Sequence, residues 1–215
     1  SLHDALPIYS SFDFFENLTG SVWADSLIGS SGDNKIITSG NADTVDGGDG
    51  VDTLDFAKST LGVTLDLSST RRQASAGAAE GMIVSNVENV LGSATVQNYL
   101  TGSNANNLLR GGSANDMFIG SAGLDTYIGG GGRDIVDFSA STTTVSISAD
   151  DAGTGANATQ HFEGISALYG AKNATNYIAF GASISSAVFG GDLNDTLTGS
   201  GGAGSISAGL GEDLV

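Results

Sequence analysis

GSNANNLLR (102–110), GGSANDMFI (111–119), GSAGLDTYI (120–128) and GGGGRDIVD (129–137) follow one another without a gap. Each fits, more or less completely, the nine-residue template G-G-x-G-x-D-x-U-x, in which U is a large apolar residue. One fixed apolar position per unit leaves no helical stripe. It describes a short strand and a tight turn, repeated, and the rest of the chain reads as leading into or out of this array.

Each place in the unit has a physical task. Glycines at the first, second and fourth positions (Gly111 and Gly112, Gly120 and Gly123, then Gly129, Gly130 and Gly132) are expected to take φ > 0, which a residue with Cβ does only at a cost. Such turns expose carbonyls. The sixth residue, Asp116, Asp125 or Asp134, adds a carboxylate at the mouth of the turn, and Ca2+ takes roughly six to eight hard oxygen donors of this kind. Leu109, Phe118, Tyr127 and Val136, at the eighth position, are expected to point inward. If two units make one coil, units eighteen residues apart stack at about the 4.8 Å strand spacing. Asp116 and Asp134 then face one ion from successive rungs, and Asn107 and Asp125 share another on the opposite edge.

A first array runs in the same frame: GSVWADSLI (20–28), GSSGDNKII (29–37), TSGNADTVD (38–46) and GGDGVDTLD (47–55). Its sixth residues are Asp25, Asn34, Asp43 and Asp52, and its inward residues Leu27, Ile36, Val45 and Leu54 are all apolar. Gly47, Gly48, Gly50 and Asp52 make the most complete loop. Trp23 replaces the fourth glycine and weakens the case for Asp25, while Asn34 brings no full charge to its pairing with Asp52.

After each array the texture changes. Asp55-Phe56 leads to alternating Val63, Leu65 and Leu67, and Asp137-Phe138 leads to alternating Val145, Ile147 and Ala149, both read as strands of period two. Polar stretches at 68–81 and 150–160 read as loops, and whether 68–87 stays within the coil is left open. The pattern then restarts at VENVLG (87–92) and FEGISALYG (162–170). A third, eroded array keeps Gly190, Gly191 and Asp195, with Asp213 as their partner. The expected domains are blocks 9–87, 88–161 and 162–215. SLHDALPI (1–8) matches one reading frame of a common sequencing adapter and is set aside as an artefact. With AGLGEDLV (208–215) one residue short of a unit, both ends read as cuts through a longer protein.

Thirty-three glycines, one proline and no cysteine in 215 residues describe a repetitive chain rather than a globular core. A formal net charge of −17 argues against nucleic acid or an anionic membrane as partner and makes cations the natural counterpart. Without cysteine there is neither disulfide nor thiol chemistry. No apolar run reaches about eighteen residues, so no membrane span is expected.

The arrays, the connecting Asp-Phe and the V-E-N-x-x-G restart resemble the RTX (hemolysin-type calcium-binding) repeat regions of bacterial proteins exported by type I secretion. The resemblance covers nearly all of 15–215, and GGDGVDTLD and GGGGRDIVD match the nonapeptide at every defined position. It implies an all-β, right-handed parallel β-roll, calcium held by turn carbonyls and aspartates, and an extracellular or cell-surface destination. Three uses compete: a structural or adhesive segment of a larger secreted or surface protein, which repetition without a catalytic insertion favours; the C-terminal region of a secreted protease, lipase or alginate epimerase whose catalytic domain lies elsewhere; and a calcium-independent solenoid that binds glycan or ice. The chain itself is read as not an enzyme, monomeric as a module, with a glycan or cell-surface contact as a further partner.

Other features have plainer readings. Asn34, Asn98, Asn107 and Asn176 are read as turn or ladder asparagines, and Phe118, Tyr127 and Trp23 as packing residues. His161 has no second histidine outside the first eight residues, so neither a zinc site nor a Ser-His-Asp triad can be assembled. Gly199 to Gly204 fits G-x-G-x-x-G, but the nonapeptide frame accounts for its glycines and no helix follows.

Overall fold

A unit with one inward side chain makes a strand of about three residues, because the next turn begins one residue later. The computed structural model describes residues 16–38, 41–74, 76–147, 160–181, 184–199 and 204–215. The 1–8 segment, Ala149, nearly all of the 150–160 stretch and most of the 199–204 glycine run lie outside the described residues. Within them twenty strands form, and every pairing between strands is parallel.

Four sheets hold these strands. One stacks, in order, Asn17–Thr19, Lys35–Ile37, Thr53–Asp55, Asn89–Leu91, Leu108–Arg110, Thr126–Ile128 and His161–Glu163. A second stacks Thr64–Asp66, Tyr99–Thr101, Met117–Ile119, Ile135–Asp137, Ile165–Tyr169, Ile184–Gly191 and Ser205–Gly209. A three-stranded sheet of Ser26–Ile28, Thr44–Asp46 and Ile83–Ser85 holds the alternate strands of the first array, and another of Val145–Ile147, Asn176–Phe180 and Thr196–Gly199 includes the alternate strand of the last. Within the arrays successive strands alternate between two sheets, so two units make one winding and neighbours in a sheet are eighteen residues apart. Leu109 pairs with Tyr127 and Phe118 with Val136. The protein is therefore an all-β parallel β-roll, as its period implies.

The core is a single file of apolar side chains. Leu27, Ile36, Val45, Leu54, Leu109, Phe118, Tyr127 and Val136 are fully buried, each contributing about 1.5–3 kcal/mol when taken out of water. Tyr127 joins an aromatic group within the file: it stacks on Phe162 at 5.6 Å and meets Phe118 edge-on at 5.8 Å. Trp23 does not join them. It is 58% exposed, since the fourth place of a unit lies on the outer bend of the turn and has no core to reach.

The two interruptions between arrays do the same thing. At the first, Val63 and Leu65 turn inward around a strand that opens the second sheet, while Ile83–Ser85 closes the sheet of the first array. The later part of the 68–87 stretch packs into the coil: Ala78, Ala79 and Met82 are buried in the common core. At the second, Val145–Ile147 opens a new sheet and His161–Glu163 closes the first one. Each junction thus hands one side of the roll from a finished sheet to a new one, while the opposite side runs through unbroken.

Candidate metal centre

The sixth residue of each unit sits where the turn re-enters the strand, which places it directly over its equivalent one winding later. The backbone N–H of Asp116 donates to Asp134 Oδ1 at 2.7 Å, that of Asp195 to Asp213 at 2.8 Å, and that of Asn107 to Asp125 at 2.9 Å. Asp25 donates in the same way to Asp43, and Asn34 to Asp52. The residues paired from the sequence are therefore stacked, and the aspartates are at most 5% exposed except Asp213, which is half-buried.

What occupies the second carboxylate oxygen separates the units into two kinds. In most, the turn fills it from within. Gly112 N–H donates to Asp116 Oδ2 at 2.7 Å and Gly191 N–H to Asp195 Oδ2 at 2.6 Å. Asp43 Oδ2 accepts the Thr38 hydroxyl, and Asp125 Oδ2 accepts both the Ser121 hydroxyl and the Tyr127 phenol. Asp52 Oδ2 and Asp134 Oδ2, by contrast, are buried and accept no hydrogen bond.

Backbone conformation is the reason. Gly48 and Gly50 have φ of 99° and 111°, and Gly130 and Gly132 have 101° and 94°, so the second-position amide no longer caps the carboxylate. Gly209 and Gly211, ahead of Asp213, repeat this left-handed pair. Gly112 and Gly191, followed by Ala114 and Leu193 rather than glycine at the fourth position, do not take φ > 0, nor does any first-position glycine, contrary to expectation. Gly123 does, at 105°. The first glycines are needed for closeness instead: a Cβ at Gly47 would lie 1.8 Å from the Asn86 carbonyl oxygen, and one at Gly190 would lie 2.2 Å from that of Ala208.

Burial dominates the electrostatics. It pushes the Asp52 and Asp134 carboxyls up to about 6, with Glu88 adding like-charge repulsion at Asp52 and Asp116 adding it at Asp134. It also raises Asp43 and Asp125, against hydrogen bonds that pull them down. A buried carboxylate oxygen with no partner costs free energy unless a proton or a cation meets it. Among the described residues no three acidic, histidine or cysteine side chains converge, so a cation here must draw main-chain oxygens as well. That donor set is hard and all-oxygen, which fits Ca2+ and not a soft or nitrogen-seeking metal.

Several members of the ladder escape a reading tied to Asp and Asn in nine-residue units. Glu88 Oε2 accepts the Asp52 N–H at 2.9 Å, and Gln160 Oε1 accepts the Asp125 N–H at 3.0 Å, so longer side chains fill the sixth place after each interruption. Both stand two residues before a buried apolar residue, Val90 and Phe162, the offset that marks the sixth place in every regular unit. Asn98 and Asn176, in stretched units, do act as turn and ladder residues: each Nδ2 donates to the next aspartate, Asp116 or Asp195, and to a carbonyl of its own turn.

No curated protein matches the chain as a relative. The family model of the RTX calcium-binding nonapeptide repeat matches in four copies, covering residues 24–54, 101–136 and 189–215, which span the stacked aspartates from Asp25 to Asp213. Over these three stretches the chain matches the RTX calcium-binding nonapeptide repeat, and Ca2+ is the ion such repeats bind.

Proposed function

We propose that Ca2+ uptake is coupled to winding of the roll, and that the chain is a structural or adhesive segment of a larger extracellular bacterial protein exported by type I secretion. The observation that carries the first part is the pair of buried, unpartnered oxygens on Asp52 and Asp134. Unliganded, they sit among stacked carboxylates in a chain of net charge −17, and glycine-rich turns lose much conformational entropy on folding. A file of single apolar residues offsets little of this. Calcium cancels the repulsion and joins adjacent rungs, so binding energy becomes folding energy.

The ligands in this reading are the sixth-position aspartates Asp43, Asp52, Asp116, Asp125, Asp134, Asp195 and Asp213 together with main-chain oxygens of their glycine turns. The chain's own part is to hold those oxygens in register; the ion supplies the positive charge. Blocks 9–87, 88–161 and 162–215 wind as successive units along one axis. An extracellular setting supports the reading because free calcium is plentiful there and scarce in the cytoplasm, so the chain would cross the export machinery unwound. The structural role is supported by the repetition of the same strand and turn in every array.

Circular dichroism of chelator-stripped protein during a calcium titration tests the coupling. The β signal is expected to be weak in chelator and to rise as calcium is added. A full β signal in chelator, unchanged by calcium, would defeat the proposal.

A further inference from the structure

The two unpartnered carboxylate oxygens are not scattered along the ladder. Asp52 and Asp134 each belong to the last unit before an interruption, where one sheet of the roll ends. Gly47 N–H donates to the carbonyl of Ser85, at the end of the closing strand Ile83–Ser85, and Gly129 N–H donates to the carbonyl of Glu163, at the end of the closing strand His161–Glu163. The residue after each closing strand is left-handed: Asn86 at φ 50° and Gly164 at φ 67°. The carbonyl of each bends over the preceding rung. The point where a Cβ of Gly47 would stand lies 1.8 Å from Asn86 O and 2.6 Å from Asp52 Oδ2, and the matching point at Gly129 lies 2.6 Å from Gly164 O and 2.3 Å from Asp134 Oδ2.

The rest of the junction repeats as well. Asp52 O accepts the N–H groups of Glu88 and Asn89, and Asp134 O accepts those of Ser166 and Ala167. Residues 86–90 and 164–168 are therefore equivalent, although the insertions before them differ in sequence and length. They differ in one chemically important place: Glu88 at the first junction stands where Ser166 stands at the second.

We propose that Asp52 with the carbonyl of Asn86, and Asp134 with the carbonyl of Gly164, form two junction cation sites that fasten the end of a finished sheet to the winding that continues past it. These are distinct in construction from the stacked repeat pairs, since one rung is supplied by a segment outside any nonapeptide. Calcium is the ion, on the same all-oxygen donor argument, and Glu88 makes the first site the more acidic of the two. The proposal rests on the calcium reading above and says where in the roll calcium acts first. Stacked pairs such as Asn98 with Asp116 are already closed by hydrogen bonds, whereas the junction oxygens have no substitute for the cation.

Calorimetric titration of the chelator-stripped full chain with calcium tests this. Asp52→Asn and Asp134→Asn are each expected to bind at least one fewer ion per chain than the parent, and the double variant at least two fewer. Glu88→Gln is expected to weaken one site about tenfold and leave the others as they were. Should an Asn variant fail to wind, hydrogen exchange on the parent decides: amides at 83–88 and 161–166 gain protection at the lowest calcium that protects any part of the roll. Unchanged ion counts in both single variants, or protection that reaches these segments last, would overturn the junction sites. A parent that binds no calcium at all would instead overturn the function proposed above.

Discussion

At the scale of single residues, glycine does two different jobs in the same nine-residue unit, and they have different costs when removed. The second and fourth glycines of the complete units supply left-handed backbone, whereas the first makes room for an oxygen of the next rung. Gly47→Ala would drive a methyl group to within 1.8 Å of the Asn86 carbonyl, and main chain cannot step aside as a flexible side chain does. It is expected to lower stability by about 1–3 kcal/mol, as overpacking does, in urea melts at saturating calcium. Gly32→Ala is the comparison: a Cβ there meets nothing within 4 Å and its φ is not left-handed, so its midpoint is expected to stay within about 0.5 kcal/mol of the parent. Equal losses in the two variants would show that closeness to the next rung is not what the first glycine is for.

At the scale of elements, the asparagines at the head of a ladder are fitted parts rather than decayed aspartates. Asn98 Nδ2 donates to Asp116 Oδ1 at 2.8 Å, and Asn98 Oδ1 accepts the N–H groups of Ser93 and Val63. Asn98→Asp keeps the shape but turns that donor into an acceptor facing a carboxylate. At one fixed, saturating calcium concentration it is expected to cost about 1–3 kcal/mol, the penalty for a buried polar group that loses its partner, measured as a fall in thermal or urea midpoint. An unchanged midpoint would mean that the side-chain bond to Asp116 contributes nothing. The same scale shows what a sequence can and cannot disclose about this fold. The inward file from Leu27 to Val136 is legible because each buried residue recurs at a fixed offset from its turn, and the pairing of Asp116 with Asp134 follows once two units are taken as a winding. The junction partners are not legible in that way. Asn86 and Gly164 act through carbonyls that every residue possesses, and they reach the preceding rung only after insertions of different length, so spacing carries no trace of them. Glu88 and Gln160 are an intermediate case, hidden by residue type but marked by the apolar residue two places on. Trp23 misleads for the opposite reason: its type suggests a core, and its place in the unit puts it on the outer bend.

At the scale of the whole molecule, two electrostatic effects of calcium have to be told apart. With 24 acidic against 7 basic residues, any cation atmosphere relieves repulsion along the roll, and about 0.5 M monovalent salt shortens the reach of surface charges to a few ångströms. Screening of that kind acts on exposed carboxylates and needs no site. The oxygens of Asp52 and Asp134 are buried, where diffuse ions do not follow, and only an ion that sheds water and accepts protein oxygens reaches them. Circular dichroism in chelator, with and without sodium chloride, followed by a stoichiometric addition of calcium, separates the two. Salt alone is expected to raise the β signal modestly, and calcium at a concentration too low to alter ionic strength is expected to raise it much further, because binding to the wound form alone adds RT ln(1 + [L]/Kd) to its stability. If salt reproduced the whole calcium shift, the roll would be held by relief of its net charge, and the stacked turns would be a consequence of winding rather than its cause.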